Sequence, residues 1–241
     1  MKIILLLGIF LFMIQCAANS KNENQIEAVY TSIAPAIDGN PDEGVWQQAV
    51  PIVLKENRSG AEVRDPQVIT RVMTCYDDST LYFAFICSDP DIWTSFTKRD
   101  EHLWEEEAVE VFIDVDDVPE TYVEIEVSPD NILFDSYIVD PENIDVPNTA
   151  SFNLPGIRTG VKVNGTLNER DDKDDSWMVE IAIPFKDLNT EHTKQVTAAT
   201  AIRINFFRLD ENQNMTRMSY AWSPTGARFH KPSVFGKLLF K

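Results

Sequence analysis

Residues 99–117 read RDEHLWEEEAVEVFIDVDD. From Ala108 the stretch alternates as a strand does. Val109, Val111 and Ile113 fall on one face, and Ala108, Glu110, Phe112 and Asp114 on the other. The first set is apolar and predicts one wall of a sandwich core. The second carries a carboxylate, and the indole of Trp104 stands just upstream on an acidic loop. A ring beside a carboxylate is the start of a sugar-binding surface: the ring stacks on a pyranose and the carboxylate accepts its hydroxyls.

Working outward, residues 121–129 (TYVEIEVSP) repeat the pattern, with Val123, Ile125 and Val127 toward the core and Tyr122, Glu124, Glu126 and Ser128 opposite. If the two strands pair with both apolar sets inward, 114 opposes 122, 112 opposes 124 and Glu110 opposes Glu126. Like charges directly opposite cost up to about 1 kcal/mol. Compensation comes from a cation, from Arg99 or Arg208, or from a raised carboxylate pKa. The alternative is a solvent-screened pair or another register.

Further strands are expected at 51–54, 67–76, 81–87, 132–139, 157–163, 177–183, 201–209, 218–222 and 236–240, from runs rich in Val, Ile, Tyr and Phe bounded by turn residues. An edge strand containing Pro35 is expected over 29–37. Residues 37–49 (IDGNPDEGVWQQA) follow, with Asp42 capping a short helical turn that carries Trp46. The 67–76 and 81–87 runs form a hairpin around DDST, which sets Cys75 opposite Tyr82 and Cys87 opposite about Thr70. A Cys75–Cys87 disulfide is thereby excluded, and buried thiols are expected. With about eleven strands and no long amphipathic helix, the chain predicts one all-β sandwich domain over 29–241.

The 241 residues carry a formal net charge of −18, which repels phosphate backbones and excludes nucleic acid as a partner. Residues 1–15 (MKIILLLGIFLFMIQ) read as a signal peptide, one Lys followed by an apolar run too short to span a bilayer. Cys16 directly behind it resembles the acylated cysteine of a bacterial lipoprotein. The alternative is ordinary cleavage near Ala17–Ala18. Residues 16–28 read as a polar tether. The expected location is therefore extracytoplasmic, in the bacterial cell envelope, anchored by lipid.

Taken together, IDGNPDEGVW, YDDSTLYFAF (76–85), RDEHLWEEEAVEVFID (99–114), WMVEIAIPF (177–185), RINFFR (203–208) and AWSPTGARFHKPSVFGKLLF (221–240) resemble the family 9 carbohydrate-binding modules across nearly the whole mature domain. The resemblance implies a distorted immunoglobulin-like or jelly-roll-type β-sandwich that holds a sugar end between two aromatic rings without catalysis. Carried over, Trp104 matches one ring, Glu110 a hydrogen-bonding carboxylate, and Phe229 the second ring, a Trp in sugar-end binders. Glu126 and Ser128 stand where such binders have Arg and Asn, and about Gly226 replaces an amide.

The resemblance also implies structural calcium, for which Asp114, Asp116 and Asp117 offer oxygen ligands at alternating positions. His230, beside Phe229, and His102, two residues before Trp104, are pocket candidates; Arg99 is a candidate partner for the carboxylate pair. The remaining histidine, His192, adjoins no motif. HExxH and CxxC are absent, so zinc is not expected. No cofactor is required, and the partners expected are oligo- or polysaccharides and glycan-degrading enzymes. The rival readings are a glycoside hydrolase component using paired carboxylates, a haem-binding sandwich with Met73 and His102 as ligands, and a scaffold with no sugar ligand.

Overall fold

The structure, a computed structural model, describes residues 24–118, 120–188, 201–213 and 215–240. The leader, Cys16, the start of the tether and His192 lie outside them. Thirteen strands are described: β1 (Gln25–Tyr30), β2 (Ile52–Val53), β3 (Lys55–Glu56), β4 (Thr70–Tyr76), β5 (Thr80–Ser88), β6 (Ala108–Asp114), β7 (Tyr122–Val127), β8 (Leu133–Ile138), β9 (Arg158–Asn164), β10 (Ser176–Pro184), β11 (Ile202–Asp210), β12 (Met218–Ala221) and β13 (Gly236–Phe240). The described helices are short: α1 (Gly44–Gln48), α2 (Val146–Thr149) and α3 (Phe185–Leu188). The all-β expectation holds, with β3 added to the strands read from sequence.

One layer runs β8-β7-β6-β11-β13, with β12 on β11, and the other β4-β5-β10-β9, with β2 on β4. β1 joins them. Gln25–Ala28 run parallel to β13, and Val29–Tyr30 run parallel to β4. This corrects the expected edge strand over 29–37 and moves the start of the folded domain into the expected tether. Ile26 and Ala28 alternate inward and are 7% and 1% exposed, so QIEA is core strand rather than linker. Pro35 lies beyond the strand.

The core fills the space between the layers. Val109, Val111 and Ile113 of β6 and Val123, Ile125 and Val127 of β7 face Phe83, Phe85, Val179 and Ile181 across it. Phe206 of β11 sets its ring edge-on to Phe83 and Phe85, at 5.5 and 5.9 Å between centroids. Each such side chain contributes about 1.5–3 kcal/mol by leaving water. The β4–β5 hairpin has the expected register, Cys75 opposite Tyr82 and Cys87 opposite Thr70. Both thiols are free and buried, and burial pushes the Cys87 thiol up to about 12, which keeps it unreactive.

The IDGNPDEGVW segment is fastened to the outer face of the second layer by one carboxylate. Glu180 Oε1 accepts the Trp46 indole N–H at 2.9 Å, and Oε2 accepts the backbone N–H groups of Asp38 and Gly39 at 3.1 and 3.0 Å. Gly39 has φ +84°, and a Cβ there would lie 2.4 Å from the Val161 carbonyl carbon, so only glycine fits. Asp42 does not cap α1. Glu43 holds the cap position without a capping bond, its carboxylate accepting the Ala36 N–H at 2.8 Å, and Asp42 instead accepts from the Asn40 amide.

Arg208 closes one end of the core. It is fully buried and shares the inward face with Ile204 and Phe206. Its Nη1 donates to Ser88 O at 2.7 Å and to Thr70 Oγ1 at 3.3 Å; its Nη2 donates to Asp89 at 2.7 Å and Asp210 at 3.0 Å. Asp89 also accepts from the Trp177 indole, and Asp210 from Tyr220 and Asn212. Burial alone would lower the guanidinium pKa, but the charges of Asp210 and Asp89 outweigh it and hold Arg208 ionised. Glu107 lies against this network, and burial, then the negative charge of Asp89, raises its pKa well above the usual range.

Candidate functional site

The same alternation that fills the core leaves a second set of side chains on the outer face of the first layer. Glu110 pairs with Glu126 and Phe112 with Glu124 across β6–β7, and Phe207 of β11 lies opposite Glu110. This is the register expected from sequence. Loops close over the face and enclose a cavity of about 360 Å³, the size of a small-ligand pocket. Larger clefts lie along β1 and beside residues 61–65, but each is lined by a single aromatic ring.

Trp104 and Phe229 both line the cavity, with Glu110 and Glu124. Trp104 sits on a 3₁₀ turn, Leu103–Glu105, which the fully buried Leu103 pins against Ala108 and Phe134. Its ring meets Phe134 edge-on at 5.2 Å and is stacked by His102 at 4.4 Å. Phe229 stacks on Phe207 at 4.7 Å, and Phe207 packs on Phe112 at 4.9 Å. The second ring therefore rests on a buried aromatic row rather than projecting from a loose loop.

The polar groups form a chain. Glu124 Oε2 accepts from Ser136 Oγ at 2.9 Å, and its Oε1 is 3.9 Å from His230 Nε2. His230 Nδ1 and the Tyr122 hydroxyl share a 2.6 Å hydrogen bond. Burial, then the positive charge of Arg228, lowers the His230 pKa to about 4, so the imidazole is neutral. Burial raises Glu124 to about 7. Burial and the charge of Glu124 push Glu110 well above the usual range, and burial, then Glu110 and Glu124, does the same to Glu126.

These directions give a test by linkage. The folded state keeps a proton on Glu124 up to about pH 7 that the unfolded chain releases near 4.5, so this contribution is full at low pH and is lost as pH rises through 7. His230 acts oppositely: its contribution is full above 6.5 and is lost as pH falls toward 4. Glu124→Gln is therefore expected to gain melting temperature relative to wild type as pH is raised from about 5 to about 8. A difference independent of pH would mean that Glu124 carries no proton in the folded protein.

The structure corrects the expected compensation of the Glu110–Glu126 pair. Arg99 is held elsewhere: its Nη2 donates to Asp135, and its Nε donates to Asn153 at 2.7 Å. Arg208 faces the core, as described. The basic residue that reaches the cavity is Arg217, which donates to the carbonyls of Trp104 and Glu106. Glu126 is buried under the cavity and does not line it, and His102 supports Trp104 from behind. Ser128 is spent on the turn after β7, where its Oγ accepts the Ile132 N–H. His230 does line the cavity. Sequence reading missed Arg217, which no motif marks, and Ile144, Val146 and Thr149, which the 141–155 loop folds over the site. Glu124 lay in plain view, one step along the same alternation as Glu126.

Asp114, Asp116 and Asp117 form a turn held by its own backbone. Asp114 Oδ1 accepts the N–H groups of Asp116 and Asp117, and Asp116 Oδ1 accepts that of Val118. The Arg203 guanidinium lies 3.8 Å from Asp114 and 3.7 Å from Asp117, so positive charge is already supplied there. Met73 packs beside Trp46 on the second layer while His102 stacks on Trp104 beside the first, so the structure does not bring these two haem-ligand candidates together.

Residues 37–241 match the family model described as "Carbohydrate family 9 binding domain-like". The chain belongs to this family. Among curated proteins, an "Extracellular protein" of Arthroderma benhamiae is 28% identical over 71% of this chain and 78% of its own length. "Endo-1,4-beta-xylanase A" of Thermotoga maritima is 28% identical over 85% of this chain, which spans only 17% of that enzyme. Among solved structures, a family 9 carbohydrate-binding module from Caldicellulosiruptor kristjanssonii in complex with cellotriose aligns with a TM-score of 0.62 at 17% identity, covering 90% of this chain and 94% of the module. The family 9 modules thus share this fold, and the family is one of binding domains.

Proposed function

We propose that this family 9 domain binds the end of a carbohydrate chain, without hydrolysing it, in the cavity between β6, β7 and the loops above them. The observation that carries the reading is the meeting of Trp104 and Phe229, far apart in sequence, on one cavity floored by Glu110 and Glu124. Rings stack on the apolar face of a pyranose, and buried carboxylates accept its hydroxyls. The family's character as a binding domain, and a relative solved with cellotriose, support the same class of ligand. Calorimetric titration of the domain with glucose, cello-oligosaccharides and xylo-oligosaccharides is expected to give saturable 1:1 binding at roughly micromolar to millimolar affinity. A folded domain that binds no glycan overturns the reading.

The leader and Cys16 support a place in the bacterial envelope, with the domain held by lipid near glycan-degrading enzymes, where tethering raises effective concentration. Mass spectrometry of the protein made in a bacterial host is expected to find acyl chains on Cys16. An unmodified soluble product starting near Ala17–Ala18 would reject the anchor.

A further inference from the structure

The floor of the cavity, with Glu126 directly beneath it, holds more acid than its surroundings neutralise. Glu110, Glu124 and Glu126 are 1%, 6% and 0% exposed and stand on one face of one strand pair. Among the described residues, Glu110 Oε2 and both carboxylate oxygens of Glu126 accept no hydrogen bond. The backbone N–H of Trp104 points at Glu126 and favours its ionised form, but too loosely to close a hydrogen bond. The basic groups nearby are committed. Arg217 donates to two backbone carbonyls, lies 3.8 Å from Glu211, and its charge acts on both Glu110 and Glu126 without balancing all three acids; Arg228 pairs with Glu142; and His230 is bonded to Tyr122. Buried acceptors left without donors cost about 1–3 kcal/mol each, more when charged, unless a ligand supplies the donors.

We propose that the sugar this site selects carries a protonated amine, as a hexosamine with a free amino group does, in preference to a neutral, N-acetylated or acidic sugar. The proposal rests on the carbohydrate-binding reading and narrows it. An ammonium brings three N–H donors and one positive charge to a floor of three acids against which the cavity lining sets one guanidinium, that of Arg217. A neutral sugar's hydroxyls can donate to the floor but bring no charge, so they give the acids no reason to ionise. N-acetylation removes the charge and leaves one donor. A uronate brings a charged carboxylate to a buried and already acidic floor, where burial penalises its charge as it penalises theirs. Burial raises the pKa of the floor acids in the free site and a seated ammonium lowers it, so binding releases protons to the buffer.

The test is calorimetric titration at about pH 6, where the amine is charged, with glucosamine, glucose, N-acetylglucosamine and glucuronic acid in two buffers of different ionisation enthalpy. Glucosamine is expected to bind at least about tenfold tighter than glucose and N-acetylglucosamine, and glucuronic acid weakest. Net proton release is expected for glucosamine only. In Glu110→Gln, checked for folding by circular dichroism, the ratio of glucosamine to glucose affinity is expected to fall toward one. Equal affinities for glucosamine and glucose, or tightest binding of the uronate, overturn the amine preference and leave carbohydrate binding standing. Failure of every sugar to bind the folded domain removes the carbohydrate reading itself.

Discussion

Arg208→Leu is expected to destabilise the domain by about 3–5 kcal/mol, the cost of leaving a buried charge without its partner. The guanidinium is fully buried and supplies donors to Asp89 and Asp210, themselves 1% and 2% exposed, and to the Ser88 carbonyl on the facing layer. Leucine fills much of the volume but leaves two carboxylates facing each other in the core, with Glu107 beside them. Against a typical total stability of about 5–15 kcal/mol, the loss removes about a fifth or more. Urea unfolding followed by tryptophan fluorescence measures it. Arg208→Lys, which keeps the charge but cannot reach both layers with a fork, should fall between wild type and the leucine variant. A loss below about 1 kcal/mol for Arg208→Leu would mean that solvent reaches these acids and that the network is not a dry one.

Trp104→Ala is expected to cost binding at least about 30-fold, roughly 2 kcal/mol or more, while changing stability little. The indole is only half-buried, and its contacts are His102 on one side and the edge of Phe134 on another. Leu103, not Trp104, anchors the turn. Truncation therefore removes stacking area from the cavity without opening the core. Titration and thermal melting of the same sample separate the two effects. A variant that binds as well as wild type would move the ligand away from this cavity, whichever sugar it is.

How much of this was legible in the sequence depends on which interactions are local. The opposition of Glu110 and Glu126 followed from alternation together with the short 115–121 turn: a one-residue slip would have turned Val109, Val111 and Ile113 toward solvent, and the turn length chose among the registers that remain. The hairpin register at Cys75 and Cys87 followed from its turn. Arg208 was misread, although IRINFFRLD already placed it on the face of Ile204 and Phe206 rather than of Phe207. A charged residue on a core face invites reassignment to the surface, and only its partners at 70, 88, 89 and 210 show why it stays inside. Arg99 was misassigned for another reason. Its partners, Asp135 and Asn153, lie far along the chain, and no pattern near residue 99 encodes them. The cover of the cavity was illegible because the 141–155 loop has no hydrophobic period to read.

The course of β1 has a mechanical consequence. It takes four register pairs from β13 and then two from β4, all parallel. A pull on the chain ahead of Gln25 runs along the strand and loads these bonds in shear, all at once, whereas an antiparallel hairpin pulled from its open end peels one pair at a time. The first described strand is thus the one whose removal requires both layers to let go together.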